Sequence, residues 1–105
     1  MTTHADIAND EALASRILTY ATAQGWTASV HDGEEWTVKS ISPTDALPHL
    51  GTTDEDTLQF RNADKKIMGR LYLVWGNGSD ELINDHTDND AMHELWNAVI
   101  KEETA

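Results

Sequence analysis

The sequence predicts an α+β fold: an antiparallel four- to five-stranded meander sheet flanked by an N-terminal and a C-terminal helix. Three observations lead there. Apolar residues recur at helical spacing near both ends of the chain, they alternate with period two through its middle, and glycine-containing turn signals separate the alternating runs. The 105 residues suffice for one domain around one core. That domain is expected over residues 9–103, after a flexible N-terminal stretch of residues 1–8. Four Trp residues help supply the core, and the absence of cysteine excludes a disulfide framework, thiolate-bound zinc and a thiol nucleophile.

The first helix is expected from about Asn9 to Gln24. Leu13, Ala14, Ile17, Leu18 and Ala21 fall at helical spacing, and Asp10 and Glu11 suit the positive end of the helix dipole. Gly25 stands where a left-handed cap ends such a helix. From Trp26 the period switches to two. Trp26, Ala28 and Val30 alternate with Thr27, Ser29 and His31, and Asp32-Gly33 signals a hairpin turn. The return strand sets Trp36 and Val38 on one face and Thr37 and Lys39 on the other. Ser42-Pro43-Thr44-Asp45 opens a short helical turn through Leu50, closed by Gly51, with Pro48 keeping it short.

After a polar link over Thr52–Asp56, a second hairpin follows. Leu58 and Phe60 alternate with Gln59 and Arg61, and residues 62–65 make the turn. Lys66 to Trp75 contains the most hydrophobic stretch of the chain. Ile67, Leu71, Leu73 and Trp75 define one face and Met68, Tyr72 and Val74 load the other, the pattern of a central strand or of one covered by a partner. Gly76-Asn77-Gly78-Ser79 ends it. Leu82 and Ile83 either add a short fifth strand or pin a loop. Met92, Leu95, Trp96 and Val99 form the stripe of a last helix, with Thr87 and Asp90 at capping-box spacing ahead of it.

Charge is the strongest pointer to function. The chain holds 19 acidic and 7 basic residues, a formal net charge of -12. Residues 1–56 carry -8 and residues 79–105 carry -7, whereas residues 57–78 carry +3 from Arg61, Lys65, Lys66 and Arg70 against Asp64. An acidic field of this kind repels nucleic acid and anionic membrane and steers cationic partners inward. The expected partner is therefore a basic protein surface, with neither nucleic acid nor membrane, in an inhibitor, immunity-like or nucleic-acid-mimic role. Asp80, Glu81, Asp85, Asp88 and Asp90 are the expected contacts, with Tyr72 and Trp75 as aromatic anchors at the rim. For Trp75, core packing is the plainer reading. The competing account of the acidity is solubility in a salty cytosol, with no charge-based partner. The basic segment is expected to pair with the chain's own acids or with those of a second copy, which would give a homodimer.

Catalytic signatures are missing. No serine sits in a Gly-x-Ser-x-Gly elbow or a Ser-x-x-Lys pair. The oxygen-rich stretch over residues 79–94 suggests calcium or magnesium, but it fails the EF-hand pattern. Counting from Asp85, the position that needs Gly holds Asp90, and the position that needs a bidentate Glu holds Trp96. His86 and His93 fall on either side of the helix boundary near Thr87. Gly76-Asn77-Gly78-Ser79 lacks the Lys of a phosphate loop. The expectation is a non-enzymatic protein with no catalytic residue, no metal ligand and no cofactor; the alternative is a metal-dependent hydrolase using Asp85, His86 and Asp88. The amino terminus lacks a secretory layout, and no run reaches the ~18 apolar residues of a membrane helix, so the expected location is cytoplasmic.

Overall fold

A computed structural model describes residues 4–76 and 82–100. In chain order it holds α1 (His4–Ala23), β1 (Thr27–His31), β2 (Trp36–Ile41), a 3-10 helix (Pro43–His49), β3 (Glu55–Arg61), β4 (Ile67–Val74), β5 (Ile83–His86) and α2 (Asp90–Leu95), which a wider π turn continues over Trp96–Ile100. All five strands pair antiparallel in one sheet, in the order β2-β1-β3-β4-β5. This is the expected α+β architecture, with Leu82 and Ile83 leading into a true fifth strand. Strands β3, β4 and β5 follow one another as a meander. The first hairpin joins them through β1, so β2 lies outermost.

Helix α1 buries the stripe expected of it, with Leu13, Ala14, Ile17, Leu18 and Ala21 at most 1% exposed. It stops in a Schellman cap. Gly25 takes a φ of +78°, its N–H donates to the Thr22 carbonyl at 3.0 Å, and the Trp26 N–H donates to the Ala21 carbonyl at 3.1 Å. The helix begins at His4, ahead of the expected Asn9. The apolar stripe marks only the part that packs, and no Pro or Gly precedes Asn9 to stop the backbone from propagating.

Alternation sorts the strands into two faces. Ala28 and Val30 of β1, Leu58 and Phe60 of β3, and Leu71 and Leu73 of β4 are buried in one core with α1 and with Met92, Leu95 and Val99. Ser29, Gln59, Arg70 and Tyr72 lie on the opposite face. Trp36, Met68 and Ile67 depart from the expected pattern. Trp36 pairs with His31 and lines the open face together with Lys39, whereas Val38 packs on the core, because a register shift separates the two; Met68 also packs against the core. Ile67 is 41% exposed rather than on the core face, because Phe60 pairs with Gly69 but Arg61 pairs with Ile67. That bulge makes Met68 the extra residue and turns Ile67 away from the core.

Gly69, in phase with Leu71 and Leu73, faces the core opposite Phe60. A Cβ there would lie 2.6 Å from Met92 Sδ, so the missing side chain is what lets α2 seat on β4. The cap of α2 also differs from the capping-box expectation. Thr87 is occupied by the sheet: its N–H donates to the Arg70 carbonyl and its Oγ1 accepts from the Arg70 N–H, both at 3.0 Å. Asn89 caps instead. Its Oδ1 accepts from the Met92 N–H and its Nδ2 donates to the Met68 carbonyl, each at 2.9 Å.

Candidate functional site

Antiparallel pairing sets Thr27 of β1 opposite Arg61 of β3, and His31 opposite Thr57. The β1–β2 turn therefore lies beside the start of β3. In that turn Asp32 Oδ1 accepts the N–H groups of Glu34 and Glu35, both at 2.9 Å, and the Asp32 N–H donates to the Glu35 carbonyl at 3.0 Å. The two donated N–H bonds hold the Asp32 carboxyl below its usual range. The Thr53 hydroxyl lies 3.0 Å from the Asp32 carbonyl and 2.7 Å from the Glu55 carbonyl, which ties the segment ahead of β3 to the turn. One end of the sheet thus gathers Asp32, Glu34, Glu35, Asp54 and Glu55. No Lys or Arg occurs in residues 31–38 or 50–60. The Asp-Gly-Glu-Glu turn and the run Asp54-Glu55-Asp56 were the available signals, but only the strand pairing joins them.

Of the expected contacts, Asp80 and Glu81 lie outside the described residues. Tyr72 and Asp85 are cross-strand partners on the open face, Tyr72 half-buried and Asp85 exposed. The Tyr72 hydroxyl donates to a Glu55 carboxylate oxygen, which pushes the phenol pKa up, with further contributions from burial and from that charge. Asp85 Oδ1 accepts the His86 N–H at 2.8 Å. Asp88 and Asp90 are exposed farther along the chain, at the approach to α2. The Asp88 carboxylate is 2.6 Å from His93 Nε2, and Asp90 stands in the first turn of the helix, where its charge suits the dipole. His86 and His93 do belong to different elements, yet their ring centroids are 6.2 Å apart, and His86 is 5.2 Å from the Trp96 ring. Among the described residues no three His or acidic side chains are grouped so as to hold a metal ion.

Trp75 follows β4 on the helix-covered side and packs against the core. Its indole Nε1 donates to Asp56 Oδ2 at 2.8 Å, and its ring lies against Gly51. Asp56 is 1% exposed, and the same Oδ2 accepts the Gly51 N–H at 2.8 Å. Its Oδ1 is buried without a hydrogen-bond partner. Burial pushes the Asp56 pKa up and outweighs the two donors, which pull it down. On the other side of Trp75 the Gly76 N–H donates to Asp10 Oδ2 at 2.9 Å. Two buried carboxylates thus fasten the backbone before β3 and after β4. A cleft of about 240 Å3 opens beside Trp75 between Glu11, Leu50 and Asp54, but Asp56 does not line it. Its raised pKa therefore belongs to a structural clamp.

No described helix is long and apolar enough to cross a membrane. Compared with models of protein families, with curated protein sequences and with solved structures, the chain matches none.

Proposed function

We propose that this chain is a small acidic, non-enzymatic binding protein that engages a basic protein surface, in the manner of an inhibitor, an immunity protein or a nucleic-acid mimic. The observation that carries this reading is the acidic end of the sheet. Its carboxylates come from two segments that are hydrogen-bonded to each other, so little ordering remains to be done on binding. Complementary charge accelerates encounter and selects the partner, and it does so most strongly at low ionic strength. Asp85, Asp88 and Asp90 extend the acidic surface along β5 toward α2.

The test is retention of proteins from a lysate of the source cells on the immobilised chain, at low and at high salt. A stoichiometric basic protein held at low salt and released at high salt is the expected result. Recovery of nothing, or only of proteins whose retention ignores salt, would contradict the proposal.

A further inference from the structure

The open face of the sheet carries a groove of about 260 Å3 whose charge is opposite to that of the chain. Its floor is a polar row across four strands. The Ser40 N–H donates to Ser29 Oγ at 2.8 Å, Ser29 pairs with Gln59, Gln59 pairs with Arg70, and Arg70 Nε donates to Gln59 Oε1 at 2.6 Å. Ser29 and Gln59, the middle of the row, are each only 4% exposed, whereas Ser40 and Arg70 at its ends are exposed. Lys39, Arg61 and the Trp36 ring complete the lining. Three of the chain's seven Lys and Arg residues converge here.

Two features mark this as a built site. The first is a bulge. Ala28 pairs with Ile41 and Val30 with Val38, so both Lys39 and Ser40 stand opposite Ser29. Regular alternation would send those two side chains to opposite faces; here both line the groove. The bulge requires Ser40 to hold a φ of +52°, a conformation unfavourable for a residue with a Cβ. The second feature is how the cations are held. Arg70 is oriented by the Gln59 amide oxygen, and Arg61 Nη1 donates to the Lys65 carbonyl at 2.8 Å. Among the described residues none of Lys39, Arg61 and Arg70 forms an ion pair with a carboxylate. In a chain with 19 acids, the hydrogen bonds that orient Arg61 and Arg70 in this groove come from neutral groups.

We infer that this groove binds the phosphate group of a small molecule. A phosphate ester brings close to two negative charges and three acceptor oxygens at neutral pH, which suits two guanidinium forks and an ammonium. Trp36 offers an apolar ring to the rest of the ligand. The acidic field around the groove selects against a polyanion, whose charge would extend past it, and against a second copy of net charge -12. A compact anion feels the same field, but salt screens charges beyond about 8–10 Å, so the contacts inside the groove weigh most for it.

The experiment is a titration of the intact chain with inorganic phosphate, followed by two-dimensional NMR of the backbone amides and the arginine Nε–H groups. Sodium chloride at matched ionic strength and sodium acetate serve as parallel titrations. The expected result is saturable shifts at Ser29, Ser40 and the Arg70 Nε–H with phosphate, absent with chloride and much weaker with acetate. Lys39→Gln, at an exposed residue, and Arg61→Gln, which also gives up the bond to the Lys65 carbonyl and is scored only against an otherwise folded spectrum, should each weaken phosphate binding roughly tenfold, as expected for loss of a charge-assisted contact. Non-saturating shifts equal to those in chloride would overturn the inference, as would unchanged affinity in both variants. Saturation by acetate at the same concentration would overturn the phosphate assignment. Movement of the same resonances with protein concentration alone would assign the face to a second copy instead.

Discussion

At Asp56 a single buried carboxyl controls two loops and responds to pH in the opposite sense to an exposed, paired acid. Burial raises its pKa above the ordinary 3.8, so the folded chain holds the proton more tightly than the unfolded chain does. Its contribution to stability is therefore gained as pH falls through the folded pKa and lost as pH rises through it. Asp56→Asn abolishes that titration. Urea denaturation of both chains from pH 7 to pH 4 should show stability shifting toward Asp56 as pH falls; a constant difference would contradict the assignment. Asp56→Ala is predicted to cost about 2–4 kcal/mol at pH 7, because the Gly51 N–H and the Trp75 indole N–H both lose their acceptor. None of this was legible in the sequence, where Asp56 read as the end of a polar link. Its burial depends on Trp75 folding back over Gly51, a contact between distant segments.

The seating of α2 on the sheet shows what pattern reading reaches at the level of elements and where it stops. The stripe Met92, Leu95 and Val99 was plain at helical spacing and is buried. The position that receives it was not, because Gly69 reads as a weak point in a strand until Met92 is found against it. Gly69→Ala is predicted to destabilise by about 1–3 kcal/mol through overpacking, and Met92→Ala by about 2–5 kcal/mol through the cavity it leaves. Combined, they should cost less than their sum, since the smaller side chain makes room for the added methyl; strict additivity in denaturant unfolding would deny the contact.

Other elements divide along the same line. The α1 stripe and the faces of β1 were legible because periodicity reports which residues share a face, but the register shifts of β2 broke that rule and set Trp36 beside Lys39 rather than Val38. The outermost place of β2, the bulge that turns Ile67 outward and the choice of Asn89 over Thr87 as cap were not legible. Each depends on a strand partner that periodicity does not name. The candidate site follows suit. Asp85 and Tyr72 could be picked out as residue types, but their pairing required the β4–β5 register, and the acidic end required that of β1 and β3.

Over the whole molecule, charge is sorted rather than spread. Five carboxylates stand at one end of the sheet, around the β1–β2 turn and the start of β3. The open face farther along the strands holds Lys39, Arg61 and Arg70. A chain acidic only for solubility has no need of either concentration; one that meets a basic surface uses the first, and one that takes up a compact anion uses the second. The most direct test of the binding account is a charge reversal confined to the acidic end. Glu34→Lys, Glu35→Lys and Asp54→Lys together change exposed side chains only, so the melting temperature should stay within a few degrees, as is usual for surface substitutions. On the immobilised triple variant at low salt, the basic protein retained by the unaltered chain should be lost; its retention at equal occupancy would contradict the account.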